Sequence, residues 1–227
     1  MVIIMVFGNI GQDKSIEILK IPKDRVGVLI GKKGNVKKTI EKELGVKLEI
    51  DADGTVTIYG TDKQKDPLAV WKARDIVRAI GRGFNPEIAL KLVSDEYVLE
   101  VIDIEDYASS DNSIRRLKGR VIGKEGKSRR YIESLTGANV SVYGNTVAIV
   151  GEHEPVQIAK EAVEMLLRGA SHAKTYKFLE RERQKIKRAR FELWKKKSDV
   201  DELYEKMNPN YEEIEIEEDE DEIEDEE

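Results

Sequence analysis

The segment Val28-Leu29-Ile30-Gly31-Lys32-Lys33-Gly34 returns as Arg120-Val121-Ile122-Gly123-Lys124-Glu125-Gly126, with the glycines 92 positions apart. Downstream, Gly45-Val46-Lys47-Leu48-Glu49-Ile50 matches Gly137-Ala138-Asn139-Val140-Ser141-Val142 at the same offset. Thr55-Val56-Thr57-Ile58-Tyr59-Gly60 then matches Thr146-Val147-Ala148-Ile149-Val150-Gly151 at an offset of 91. Three blocks in one order at one spacing identify a duplicated unit. Any fold accepted for the first copy must therefore suit the second, and 227 residues suffice for two small domains.

In the first copy, Ile16 and Ile18 alternate with Glu17 ahead of Pro22, a strand pattern. Arg25–Ile30 can form a short helix ending at Gly31. After Gly34, Val36, Ile40 and Leu44 fall on one helical stripe, with Gly45 placed as its C-terminal cap. Strands follow at Val46–Ile50 and Thr55–Tyr59, joined through Asp53-Gly54. Asp66-Pro67 predicts the start of a helix that buries Ala69, Ala73, Ile76, Val77 and Ile80 and stops at Gly81. The second copy predicts a strand at Tyr97–Ile104, helices near Ser113–Ile122 and up to Leu135, strands at Ala138–Tyr143 and Thr146–Val150, and a helix from Pro155 to about Gly169. Residues 82–94 read as the linker, with a turn of helix after Asn85-Pro86.

The order strand, helix, Ile-Gly-x-x-Gly, helix, strand, strand, helix resembles the type I KH domain. The implied fold class is α+β: two tandem βααββα modules, each a three-stranded sheet with helices on one face. A C-terminal helix and a disordered acidic tail would follow. The boundaries read as 1–85 and 86–179 for the two modules, 180–208 for a basic helical extension and 209–227 for the tail.

Two glycines around two residues let backbone approach a partner without a Cβ in the way. The helix that follows presents N–H groups and the positive end of its dipole, an anion site. In KH domains such a loop clamps the backbone of about four nucleotides while the bases lie in an apolar groove beside it. In the first module the resemblance assigns RNA binding to Val28, Ile30, Gly31, Lys32, Lys33, Gly34, Asn35, Lys37 and Lys38. Val36 and Leu48 also border the groove but read better as core. Lys37 departs from the common pattern, which is apolar there. In the second module the candidates are Arg120, Gly123, Lys124, Gly126, Lys127, Arg129 and Arg130. Glu125 puts a carboxylate on the phosphate path, so this loop is either degenerate or a clamp displaced onto the basic helix behind it.

The net charge of −6 conceals a basic body. Residues Glu212–Glu227 hold 13 acidic side chains and no Lys or Arg, which leaves the rest at about +7. No cysteine is present, which excludes disulfides and thiolate zinc sites. Met1–Phe7 is apolar but short and lacks a basic flank, so no secretory signal is expected, and no apolar run is long enough for a membrane span. Gly126-Lys127-Ser128 mimics the end of a P-loop, but Val121 stands where that motif needs its first glycine. His153 and His172 stand far apart, read as a loop and a helix-end residue, and support neither a metal site nor a triad. The chain is expected to be a cytoplasmic, non-enzymatic protein without cofactor or metal.

From Tyr176 to about Met207 the sequence is helical, and residues 181–197 hold nine basic side chains with Ile186, Phe191 and Trp194 among them. This arm is either a solvated helix docked on the second module or a second surface for RNA backbone. Lys118–Arg130 and Gly169-Ala-Ser-His-Ala-Lys-Thr-Tyr-Lys-Phe-Leu-Glu180 give a narrower likeness. Over residues 13–197 the chain resembles the archaeal and eukaryotic small-subunit ribosome assembly factors of the partner-of-Nob family, close to the KRR-R family. The resemblance implies binding near the 3′ end of 16S-type ribosomal RNA. Its implied partners are single-stranded rRNA together with an assembly endonuclease, ribosomal proteins or translation factors. An adaptor for RNA degradation or translation is the first alternative, and a protein scaffold with degenerate KH domains the second.

Overall fold

The computed structural model describes residues 15–64 and 66–207, without the side chains at 189, 190 and 193–207. The apolar start at Met1–Phe7, the acidic tail and the side chains of Arg190, Trp194, Lys195, Lys196 and Lys197 therefore lie outside the described residues. The chain divides into one compact unit ending at Arg183 and a second beginning at Gln184.

Within the first unit the elements are β1 (Ile16–Lys20), α1 (Lys23–Ile30), α2 (Asn35–Leu44), β2 (Val46–Ile50), β3 (Thr55–Gly60) and α3 (Ala69–Gly81). The linker folds as α4 (Pro86–Ala89) and a 3₁₀ turn at Leu90–Val93. The second copy gives β4 (Tyr97–Asp103), α5 (Asp111–Ile122), α6 (Lys127–Thr136), β5 (Asn139–Tyr143), β6 (Thr146–Glu152) and α7 (His153–Leu167). The helix α8 (His172–Met207) follows. Both sheets are antiparallel with the later hairpin strand in the centre, in the orders β1-β3-β2 and β4-β6-β5.

Local chemistry explains most boundaries. The Asn85 side chain accepts the Ile88 N–H at 3.0 Å and Pro86 opens α4, as its fixed φ favours. Gly45 and Gly137 end α2 and α6 in the left-handed conformation. Four helix starts differ from the sequence expectation: α1 and α5 begin two residues earlier, at Lys23 and Asp111, and the shifts of α3 and α7 have local causes. Asp66 accepts the Leu68 N–H at 2.8 Å and holds Lys72 at 2.6 Å, so Asp66-Pro67 form a capping turn and α3 begins at Ala69. In α7 the proline sits inside the first turn, where its missing N–H costs nothing, so the helix starts at His153. His153 is thus an exposed helix residue, not a loop residue.

Each module buries one face of its sheet under its own helices. Leu29, Ile40, Leu48, Ile58, Ile76 and Ile80 are fully buried in the first, and Val121, Ile132, Ile149, Val163 and Leu166 in the second. The outer sheet faces differ. In β3, Thr57 and Tyr59 are only half-buried, whereas β6 is buried from Thr146 through Gly151 on both faces. The reason is the first module: Ala148 and Val150 belong to its core, together with α3, Phe84, Ala89 and Leu92, and Leu99 and Val101 pack against it. The second sheet therefore lies on the helical side of the first module.

Polar contacts lock this joint. Arg25 donates to the carbonyls of Ile80 at 2.8 Å and Phe84 at 2.5 Å and stands over the Tyr143 ring at 5.9 Å. Tyr143 donates to Asp24, which holds its phenol above the ordinary value. Ser141 donates to the Arg82 carbonyl at 2.8 Å. Gly83, at φ +98, lies under Ser141 and Tyr143, where a Cβ would come within 2.7 Å of the serine hydroxyl oxygen.

Candidate nucleic-acid interface

The two Gly-x-x-Gly loops have almost one backbone. Gly31 and Gly123 both have φ 73 and ψ 173, a conformation open essentially to glycine alone. The second variable residue is left-handed in each, with φ 55 at Lys33 and φ 54 at Glu125. Gly34 and Gly126 close the loops at φ 76. A Cβ on Gly31 would sit 2.5 Å from Val36 Cγ2, and one on Gly123 would sit 2.7 Å from Ser128 Cβ. Close packing of loop on helix thus excludes any side chain at the first glycine. At Gly34 space is open and the positive φ alone selects glycine.

Each loop delivers the chain into a ten-residue helix whose N-terminus has no side-chain cap. The Asn35 and Lys127 N–H groups donate to the carbonyls of Lys32 and Lys124 in the preceding turns, and the positive dipole ends of α2 and α6 favour an anion at these loops. Lys32, Lys33, Asn35 and Lys38 are exposed around the first site. Around the second, Lys124, Glu125, Lys127 and Arg130 are exposed, and the Arg130 guanidinium lies close over Gly126. The carboxylate of Glu125 changes the charge on this loop and leaves its backbone intact.

Other candidates are tied down. Lys37 pairs with Glu41 at 3.9 Å, and Glu41 accepts the Leu48 N–H at 2.9 Å. Arg129 pairs with Glu133 at 3.6 Å, and Glu133 accepts the Val140 N–H at 2.9 Å. Leu48 and Val140 belong to the edge strands β2 and β5, so each module satisfies an edge N–H with a helix carboxylate that a cation holds in place. This accounts for the basic residue at position 37. A Lys/Arg-x-x-x-Glu pair recurs at the repeat spacing, a signal that the glycine blocks overshadow. Arg120 is half-buried and donates to the Ala170 carbonyl, so it anchors the α7–α8 connection. Val28 and Ile30 are half-buried on α1, with Val28 packed on the core, and Leu48 is fully buried.

The start of α8 closes the second module behind its loop. His172 Nε2 lies 2.9 Å from the Arg120 carbonyl, Thr175 and Leu179 are buried, and the Tyr176 ring meets the Tyr131 ring at 4.4 Å, tilted by 49°. Tyr131 donates to Glu180 at 2.6 Å, which raises its phenol above the ordinary value. Among the described residues no cluster could hold a metal ion, and no helix is long and apolar enough to cross a membrane.

Comparison with known proteins agrees with this geometry. Residues 15–78 match the KH domain model, and residues 98–184 match the eukaryotic-type KH domain, KH-domain type I, of the second PNO1 module. The RNA-binding proteins pno-1 of Caenorhabditis briggsae and Caenorhabditis elegans are each 28% identical over 163 residues, 70% of this chain. The chain spans 59% of the length of these relatives. Among solved structures, Dim2p of Pyrococcus horikoshii OT3, in a complex with a/eIF2alpha and rRNA, is 50% identical with a TM-score of 0.72. That match covers 76% of this chain and 96% of the relative. A protein of unknown function from Aeropyrum pernix is 34% identical with a TM-score of 0.76, over 82% of this chain and all of that one. Two KH modules in this order, together with 50% identity over nearly the whole length of a Dim2p, place the chain in the PNO1/Dim2 family of KH-domain proteins.

Proposed function

We infer that this protein is an RNA-binding ribosome assembly factor that holds single-stranded ribosomal RNA through its two Gly-x-x-Gly loops. The observation that carries the reading is the duplicated loop backbone, each copy feeding an uncapped helix N-terminus. Phosphates fit there because backbone N–H groups and the helix dipole both favour negative charge. In the first module, Lys32, Lys33 and Lys38 add charge, Asn35 a hydrogen-bonding side chain, and Val28 and Ile30 an apolar wall for bases. In the second, Lys124, Lys127 and Arg130 supply the charge and offset Glu125. Lys37 and Arg129 act through their glutamates, which shape the groove edge. Arg120 is better read as a tether for the chain behind the loop.

The rRNA in the Dim2p complex supports a ribosomal target, and the a/eIF2alpha in it supports a translation factor as protein partner. We place the RNA contact near the 3′ end of small-subunit rRNA, with a cytoplasmic, non-catalytic role in assembly. The test is binding of a labelled 3′-end oligonucleotide and a scrambled strand to wild type, Lys32→Asp/Lys33→Asp and Lys124→Asp. The expected result is sequence-dependent binding that either variant weakens at least about tenfold, since each charge reversal removes a phosphate partner. Binding indifferent to both variants would sink the reading.

A further inference from the structure

The open edge of the first sheet borders a basic groove that the RNA loops do not use. The Gly60 N–H donates to the Ser15 carbonyl at 3.0 Å, and the Ile21 N–H to the Gly54 carbonyl at 2.9 Å. The residues between alternate, so Glu17 and Leu19 turn their backbone toward β3 while Ile16, Ile18 and Lys20 turn theirs outward. Among the described residues no strand pairs with that side, because β1 is the edge of its sheet. An unpaired edge is a template for another strand.

On the helical side a groove of about 550 Å³ runs between this edge and α3, lined by Glu17, Ile18, Leu19, Arg74, Arg78 and Arg82. The three arginines recur every fourth residue and so share one stripe of the helix. Arg74 is engaged with Glu17 at 3.9 Å and with Asp75 at 3.1 Å. At Arg78 the Nε is buried and has no hydrogen-bond partner among the described residues. Burial holds this guanidinium below its ordinary value, and Arg82 and Arg74 add to the effect against the pull of Asp75 and Glu100. A buried guanidinium donor is matched best by a carboxylate.

We propose that the β1 edge takes an acidic extended segment of another protein as a fourth strand, antiparallel to β1. The spacings fit. Arg78 and Arg82 stand one turn apart, about 6 Å along α3, and alternate residues of a strand point to one face about 6.7 Å apart. Residues of the added strand opposite Glu17, Leu19 and Ile21 point to the helical side. Carboxylates opposite Leu19 and Ile21 meet Arg78 and Arg82, whereas one opposite Glu17 would meet a like charge. Residues opposite Ile16 and Ile18 fall on the outer face, where Ile16 is 46% exposed, and are apolar. In chain order the segment therefore reads acid, any residue, acid, apolar, neutral, apolar. A second copy of β1 suits this edge poorly, since it would bring the same basic groove with it. A nucleic-acid strand would match the arginines but not the alternating N–H and carbonyl groups of the edge.

The test is titration of a labelled, end-capped peptide, Glu-Thr-Glu-Ile-Thr-Ile, into the full chain at low salt, beside Lys-Thr-Lys-Ile-Thr-Ile. The acidic peptide should bind at least about tenfold more tightly, as charge-assisted pairs require. It should slow hydrogen exchange at the Ile16, Ile18 and Lys20 amides at least about tenfold. N-methylation of its second and fourth residues, whose N–H groups face β1, should abolish both effects. Arg78→Glu/Arg82→Glu should reverse the preference between the two peptides. The peptide series on wild type decides alone if that variant fails to fold. Equal affinity for the acidic and lysine peptides, or unchanged exchange, overturns the proposal. An arginine variant that loses the 3′-end oligonucleotide but keeps the acidic peptide overturns it in favour of a nucleic-acid contact. Edge protection in the free protein that falls on dilution overturns it in favour of a second copy.

Discussion

The first loop glycine is the residue on which each loop's backbone turns. Gly31 and Gly123 combine a φ of 73 with contact against the next helix, so alanine is strained and obstructed at once. Gly31→Ala should cost about 1–3 kcal/mol in the melting free energy and distort the turn. RNA affinity should fall with it while circular dichroism stays native. Gly34→Ala meets open space, so its cost should stay near about 1 kcal/mol, the left-handed penalty for a non-glycine residue. The same scale decides what Glu125 means. Its carboxylate stands on a loop with the backbone of the first one, so Glu125→Lys should strengthen RNA binding without changing stability. A side-by-side titration checks this. The motif was legible in the sequence because glycine spacing encodes backbone conformation. The contacts of Lys37 with Glu41 and of Arg120 with the Ala170 carbonyl were not, because a basic residue reads alike whether it faces solvent, a carboxylate or a carbonyl.

At the scale of elements, each helix after a loop is fastened to the next edge strand, β2 or β5, by one carboxylate. Glu41→Ala and Glu133→Ala each leave an edge N–H and a cation without their partner, at about 1–2 kcal/mol each. Chemical denaturation should show the losses separately, one per module. The start of α3 is held instead by Lys72, which lies 2.6 Å from both Asp66 and Asp95. The hydrogen bond from Lys72 holds the Asp66 carboxyl below its ordinary value, and the Leu68 N–H adds to this. A depressed carboxylate contributes stability above its unfolded value of about 4 and loses it as pH falls further. The melting temperature of wild type should therefore drop more between pH 5 and pH 2.5, approximately, than that of Lys72→Met. The apolar stripe of α2 and the buried face of α3 were legible in the sequence, and the repeat carried α6 with them. The start of α3 shifted because an aspartate and a proline can make a turn as readily as a first helical turn, and only the Asp66–Leu68 contact separates the two.

For the whole molecule, the duplicated sequence does not give two equivalent domains. The first sheet keeps an outward face with Thr57 and Tyr59, while the second presses Ala148 and Val150 into the core of the first module. Val150→Glu should cost about 3 kcal/mol or more, because it buries an unpaired charge in the joint. The equivalent change on the outer face of β3, Tyr59→Glu, should be mild. Paired melting curves separate the outcomes. Each phosphate that the proposed clamp holds should also register in salt. About five single-strand contacts predict a loss on the order of 100-fold in RNA affinity between about 50 and 200 mM. The repeat, its βααββα order and the glycine loops were set by the sequence alone, since periodicity and glycine placement are local properties. Which sheet is covered, and by what, only the tertiary structure decided. Thr-Val-Ala-Ile-Val in β6 announces that both faces want burial, but an apolar face does not name its partner. The partner follows from the Gly83 turn and the Arg25–Tyr143 joint, contacts between residues more than 50 positions apart in the chain.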